Sequence, residues 1–194
     1  MNRSWLIAAA IVIGVSAVSF TVHRSIVADA VETGRPIAEK RQKDISERER
    51  VHARTDTLKN VLSNLETALA DRPYDSMLVI SAANIAYDLQ EFETAERYYR
   101  RYLENIDNSD ASVLVDLSFV VFQQGESDDA IEILTNVVDA DPSNQTAMFN
   151  LAYMYEQRQQ PNEAMKWIER CRDANPDSPI GQQAAAILAQ ESTE

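Results

Sequence analysis

Residues 123–144 read QQGESDDAIEILTNVVDADPSN, and residues 157–178 read QRQQPNEAMKWIERCRDANPDS. The second stretch follows the first at a spacing of 34 residues, which aligns Ala130 with Ala164. Each stretch has an Asp-Pro or Asn-Pro pair close to its end. Residues 88–109 carry the same pattern 35 residues earlier. Because one amphipathic helix pair cannot bury its apolar face alone, a unit of this length predicts helix pairs that stack on one another.

The repeated unit resembles the tetratricopeptide repeat family. The small residues expected where the two helices of a unit cross are Ala95, Ala130 and Ala164. The apolar ridges of the first helices are represented by Leu114, Leu117, Met148, Leu151 and Ala152. Gly125 stands at the turn between the helices, whereas Gln90 and Gln159 replace that glycine in the other two units. The resemblance covers residues 76–178 well and residues 56–190 more loosely.

The resemblance implies an all-α fold, a right-handed superhelix of about three helix pairs plus a capping helix. The uncharged N-terminal stretch predicts a transmembrane helix before it. Residues 56–75 look like the second helix of a degenerate preceding unit. The expected segments are a membrane anchor (1–24), a charged stalk or linker (25–50) and the helical domain (51–194), with repeats at 76–110, 111–144 and 145–178 and a capping helix at 179–190.

Residues 4–22, SWLIAAAIVIGVSAVSFTV, contain no ionisable side chain. As a helix they would extend about 28 Å, close to the thickness of the hydrocarbon core of a bilayer. One alternative is a cleaved signal peptide with Ala28-Asp29-Ala30 as the processing site, although the apolar cores of signal peptides usually run about 7–15 residues. A buried globular helix is the other alternative. We expect residues 4–22 to anchor the chain.

The orientation of this anchor is contested by the basic residues around it. Arg3 precedes the span, whereas five basic residues follow it, and this bias favours a cytoplasmic body. Those five are Arg24, Arg35, Lys40, Arg41 and Lys43. A short basic start before an apolar run is also how exported chains begin. We expect a single-pass protein of the bacterial inner membrane with a periplasmic body, the cytoplasmic body being the alternative.

Composition argues against several classes of function. The chain has 18 basic and 31 acidic side chains, so a nucleic-acid-binding surface is not expected. The two histidines, His23 and His52, lie at the predicted membrane edge and in the connector, and Cys171 has no nearby histidine. Residues 126–129 lack the alternating ligands of a calcium loop. We therefore predict no enzyme activity, no cofactor, no metal site and no small-molecule substrate.

Within the family's geometry, the first helix of each unit lines a concave groove. The implied partner-binding residues are Ile80, Asn84, Tyr87, Val115, Phe119, Phe122, Phe149 and Tyr153. This groove is aromatic and nearly free of positive charge. In chaperone-binding members of the family, basic residues on these helices hold a peptide's terminal carboxylate, but Ile80 and Val115 stand where they would be needed. The alternative is that the aromatics are covered by the chain itself, for instance by the 51–71 helix or the terminal helix.

Acidic residues dominate residues 111–144, which contain no Lys or Arg. Glu126, Asp128 and Asp129 are expected to form an acidic rim, which either keeps the surface solvated or steers a basic partner. We therefore predict a membrane-tethered scaffold whose groove docks a protein or peptide near the bilayer, with a basic, apolar-anchored segment as the candidate ligand. The alternative is an accessory or assembly factor of c-type cytochrome maturation or secretion that presents a client to a catalytic subunit.

Overall fold

Residues 37–191 are described by a computed structural model, and they form eight helices. These are α1 (Ile37–Asp71), α2 (Ser76–Asp88), α3 (Phe92–Asn105), α4 (Ala111–Gln123), α5 (Ser127–Ala140), α6 (Gln145–Gln157), α7 (Pro161–Ala174) and α8 (Pro179–Glu191). The predicted membrane segment, residues 4–22, lies outside the described residues. Within residues 37–191, no helix combines the length and the apolar character needed to cross a membrane.

Polar residues that recur every 34 or 35 positions start four of the helices. The side chains of Asp75, Asp110 and Asn144 accept hydrogen bonds from backbone amides in the first turns of α2, α4 and α6. The Ser178 hydroxyl oxygen accepts one from the Gly181 amide at 2.8 Å in the same position of α8. Each cap satisfies an amide that has no partner within its helix. The helix α8 therefore begins as the first helix of a further unit would.

The turn inside each helix pair uses one backbone conformation three times. Gln90, Gly125 and Gln159 have positive φ angles of 61°, 91° and 61°. The amide of each donates to a carbonyl three residues earlier, and the next amide donates five residues back, as Glu91 does to Ala86 at 2.9 Å. This pattern of two hydrogen bonds ends a helix at a residue with a left-handed backbone conformation, for which glycine is preferred. Two units thus build the turn without the expected glycine.

Packing joins each helix mainly to its neighbours in sequence, and α6 also contacts α4 and α8. Ala95, Ala130 and Ala164, at the predicted helix crossings, are fully buried. A methyl side chain at these points lets the paired helix axes approach closely. The core is therefore continuous from α2 to α8 rather than divided among separate bundles.

The helix α1 is continuous through residue 50, so the charged stalk and the start of the helical domain share one element. Among residues 41–71 of α1, Leu62 and Leu69 alone are buried. The helix packs mainly on α2, and the Tyr98 hydroxyl of α3 donates to the Glu66 side chain at 3.1 Å. Val61 is 38% exposed, although the equivalent residues 34 to 103 positions later are the fully buried crossing alanines. This exposure arises because no first helix packs over Val61 within the described residues.

A buried polar network joins the ends of α6, α7 and α8. The Gln145 amide nitrogen donates to the carbonyls of Cys171 at 2.6 Å and Asn175 at 2.9 Å. Its amide oxygen accepts from the Ser178 hydroxyl at 2.5 Å. Gly181 packs so closely here that a Cβ atom would lie 2.0 Å from the Asn175 carbonyl oxygen. The terminal helix is therefore fixed by specific contacts at its first turn.

Candidate partner-binding groove

The helices α2, α4 and α6 are the first members of the three pairs, and in such a stack the first helices line the concave face. Aromatic rings connect them across this face. Phe119 lies between Tyr87 of α2 and Tyr153 of α6, with ring centroids 6.0 Å away on both sides. Phe92 extends the series from Tyr87 at 5.8 Å, and Phe122 extends it from Tyr153 at 5.9 Å. We call Tyr87, Phe92, Phe119, Phe122 and Tyr153 the aromatic row.

The side chains of the aromatic row are half-buried, so each ring combines packing on its neighbours with an accessible surface. Neighbouring rings at these separations attract one another through their edges and faces. Ile80 is also half-buried, and Asn84 is exposed. These residues form an apolar surface that a partner can reach.

The burial of Val115 and Phe149 corrects the sequence-based assignment of these two residues to the groove. The structure leaves only 8% of Val115 and 6% of Phe149 exposed, so both belong to the core and offer little surface to a partner. They occupy equivalent positions of α4 and α6, each of which follows a complete helix pair. Ile80 stands at the same position of α2 but stays half-buried, because α2 has only α1 before it.

Asn84 is held by a residue that the sequence did not suggest. The hydroxyl of Tyr99, a buried residue of α3, donates to the Asn84 side-chain oxygen at 2.6 Å. Burial raises the pKa of Tyr99, and the nearby Asp116, Tyr87 and Asp88 raise it further, so the phenol stays protonated and remains a donor. Ala95 fixes the register of α3, and Tyr99 follows it by four residues. This spacing was the available signal.

Three acids are the only charged residues on the helices that line the groove. The sequences of α2, α4 and α6 contain Asp88, Asp116 and Glu156, but no Lys, Arg or His. Asp116 is exposed to solvent, yet its surroundings raise its pKa to about 6, first by desolvation and then by repulsion from Asp110. Desolvation also raises the pKa of Tyr87 to about 12, with smaller contributions from Tyr153, Asp88 and Asp116. Asp116 and these tyrosines therefore share one electrostatic environment.

The predicted acidic rim lies at the start of α5, beside the turns that join the helices of each pair. Glu126, Asp128 and Asp129 are all exposed. Asp128 forms an ion pair with Arg158 at 2.5 Å, which joins two successive turns of the array. The rim is therefore partly neutralised by the chain itself, and none of its three members takes part in the ring contacts of the aromatic row.

The described part of the chain offers few side chains for metal binding or nucleophilic chemistry. No group of three His, Cys, Asp or Glu side chains between residues 37 and 191 is arranged to hold a metal ion. Cys171 is buried, its thiol donates to the Gln145 carbonyl at 3.5 Å, and burial raises its pKa to about 11. The thiol is therefore a core group and not an activated nucleophile.

Residues 121–190 match a family model described as tetratricopeptide repeat. No curated protein is significantly similar to the chain. The fold is similar to that of YrrB, described as a TPR protein with an unusual peptide-binding site, with a TM-score of 0.58, 19% identity, and coverage of 71% of this chain and 70% of YrrB. It is also similar to MamA, with a TM-score of 0.56, 13% identity, and coverage of 77% and 98%.

A double mutant of MamA RS-1 has a TM-score of 0.55 and 16% identity, and the match covers 79% of this chain and 92% of that one. At these identities the structures are evidence for the fold alone. The family model covers residues 121–190, and the structures support an all-α, tetratricopeptide-like arrangement of the described helices.

Proposed function

We propose that this protein is a membrane-tethered scaffold that binds a segment of another protein in its groove. The observation that carries the proposal is the aromatic row, a continuous series of half-exposed rings along three successive first helices. Extended or helical segments with apolar anchors bind to surfaces of this kind. The tetratricopeptide-like fold supports an interaction role, and the printed description of YrrB gives a peptide-binding site to a protein of similar fold.

Tethering is proposed from the uncharged span of residues 4–22 and from the length of α1. Residues 41–57 of α1 include no buried side chain, so this stretch forms a bare helix about 25 Å long. Such a helix would hold the array at a distance from the bilayer. Tethering would also raise the local concentration of whatever the groove binds. The proposed body is periplasmic, with the anchor in the inner membrane.

Membrane extraction tests the tether separately from the groove. The full chain should stay in the membrane pellet after carbonate treatment, while a variant without residues 1–24 should appear in the supernatant. External protease applied to spheroplasts should degrade the array if the body is periplasmic. Release of the intact full chain by carbonate, or protection of the array in spheroplasts, would contradict the corresponding part of the proposal.

Cross-linking followed by affinity purification from membranes tests the groove. We expect Phe119→Ala combined with Tyr153→Ala to abolish capture of the partner, because truncation of aromatic anchors typically costs about 1–3 kcal/mol each in binding. The double variant loses three ring pairs, each worth about 0.5–1.5 kcal/mol beyond the burial of the rings, so its melting curve is recorded to separate lost binding from unfolding. Tyr74→Ala is the matched control, since Tyr74 is 61% exposed and lies outside the aromatic row. Retained capture by the double variant would place the binding surface elsewhere.

The identity of the captured proteins distinguishes the two proposed roles. An accessory factor of c-type cytochrome maturation or secretion should be recovered with both its client and a catalytic subunit. A scaffold without such a role should be recovered with a partner alone.

A further inference from the structure

Charge is segregated between the two kinds of helix in the array. Every Lys and Arg between residues 58 and 191 lies on α1, α3 or α7 or in a turn, and none lies on α2, α4 or α6. The groove helices carry acids alone, Asp88, Asp116 and Glu156. A partner segment in the groove therefore meets negative charge on every helix that it crosses.

Asp116 and Asp88 lie next to the apolar surface. Asp88 lies four residues after Asn84 on α2, and Asp116 lies three residues before Phe119 on α4, spacings that place side chains on one face of a helix. The charges of both acids also raise the pKa values of Tyr87 and of Tyr99, whose phenol holds Asn84. Neither acid has an ion-pair partner among the described residues, unlike Asp128 at the edge of the array. Desolvation and repulsion from Asp110 raise the pKa of Asp116 to about 6, so its charge is less favoured here than on a free aspartate, although it is still ionised at pH 7.5.

Resting on the proposed function, we propose that the groove is selective for a basic protein segment, with one Lys or Arg side chain bound at the Asp88 and Asp116 carboxylates and flanking apolar side chains packed on the aromatic row. Charge complementarity carries this assignment. A cation beside Asp116 would stabilise the charged form that the empty groove disfavours.

An acidic segment fits this surface poorly. Its carboxylates would meet Asp88, Asp116 and Glu156 with no basic side chain on the three groove helices to receive them. Like charges placed together at an interface cost enough to exclude a partner. The groove is thus expected to reject the terminal carboxylates that basic grooves of this fold hold.

Selection from a library of random nine-residue peptides displayed on phage tests the inference on the full chain in mild detergent. Peptides selected on the wild type should be enriched in Lys or Arg next to aromatic or aliphatic residues. Selection on Asp88→Asn with Asp116→Asn should lose the basic enrichment and keep the apolar one. Glu132→Gln with Asp139→Asn is the matched control, because it removes the same charge from exposed positions of α5 outside the acidic rim.

Binding of one selected peptide gives the quantitative test. Asp116→Asn should weaken its affinity about tenfold at pH 7.5, whereas the α5 control should change it less than about twofold at physiological salt. Apolar peptides without basic enrichment on the wild type, or equal loss in both double variants, would overturn the inference and leave the proposed function standing. If no selected peptide loses affinity for the Phe119→Ala variant, the proposed function itself is contradicted.

Discussion

Gln90 and Gln159 occupy backbone conformations that most side chains avoid. Their φ angles of 61° place them in the left-handed region that Gly125 occupies in the middle unit. A side chain in this region costs roughly 1–2 kcal/mol of stability. Replacement by glycine recovers only part of this cost, because glycine has greater freedom in the unfolded chain. The turn persists because two backbone hydrogen bonds close it in each unit.

Exchanging these residues with glycine gives a matched set of stability changes. Gln90→Gly and Gln159→Gly should each raise the free energy of unfolding by about 0.5–1 kcal/mol, and Gly125→Ala should lower it by a similar amount. A Cβ atom at Gly125 would meet nothing within 4 Å, so any loss there reports on the backbone alone. Urea unfolding measures all three. Destabilisation by the two Gln→Gly changes would show that these side chains contribute more than the strain removes.

Asp116 should give the stability of the protein a characteristic pH dependence. The groups around it are Tyr87 and Asp88 of α2, Tyr99 of α3 and Asp110 at the start of α4. Its pKa is about 6 in the folded chain, above the ordinary aspartate value of 3.8, so folding favours its protonated form. The resulting stabilisation is full below about pH 4 and is lost as the pH rises towards 6.

Asp116→Asn should therefore raise the melting temperature at pH 7 and flatten its dependence on pH between 4 and 6. Asp107 and Asp141 act in the opposite sense and at lower pH. Hydrogen bonds from Ser109 and Ser143 lower their pKa values, so their stabilisation is lost only as the medium becomes more acidic. Thermal melts at half-unit steps of pH measure the effect, with Asp139→Asn as control. An unchanged slope in Asp116→Asn would rule out this carboxyl as its source.

At the level of the elements, the helices and their tetratricopeptide-like arrangement could be predicted because each unit repeats the same apolar spacing, crossing alanine and end signals. The burial of Val115 and Phe149 could not be predicted, because it depends on the helix pair that precedes the helix of each residue. The pairing of Asp128 with Arg158 likewise joins side chains 30 residues apart that share no local pattern. Contacts between units set these features, and periodicity within a unit carries no information about them.

The junction of α6, α7 and α8 makes Gly181 the most constrained position of the terminal helix. Gly181→Ala would bring a methyl group to 2.0 Å from the Asn175 carbonyl oxygen, which also accepts from the Gln145 side chain. Relief requires α8 to move away, and the expected loss is roughly 2–4 kcal/mol of unfolding free energy. Ala186→Ser, on the exposed face of the same helix, should change stability by less than about 0.5 kcal/mol. Equal melting of the two variants would refute this packing.

The two parts of α1 should respond differently to truncation. Residues 41–57 contain no buried side chain, so after removal of residues 1–57 we expect the remaining chain to keep its helical circular dichroism and its unfolding free energy within about 0.5 kcal/mol. Extending the deletion to residue 71 also removes Leu62 and Leu69 from the face of α2. Loss of one buried leucine costs about 2–5 kcal/mol. A large loss on the first deletion would indicate that residues before 58 contact the array.

For the whole molecule, contacts between sequence neighbours imply stability that varies along the chain. Most of the largest fully buried side chains, among them Val120, Leu134, Leu151 and Ile168, lie on α4 to α7, while α1 buries two residues and α8 three. Arrays of this kind open from their ends, and amide hydrogen exchange reports the free energy of each opening. We expect amides in residues 41–57 to exchange fastest, those of α8 and α2 to be intermediate, and those of α4 to α6 to be slowest. Gly181→Ala should speed exchange in α8 and α7 while leaving α2 and α3 unchanged. Uniform protection from α2 to α8, lost everywhere at once in Gly181→Ala, would instead mean that the array opens as a single cooperative unit.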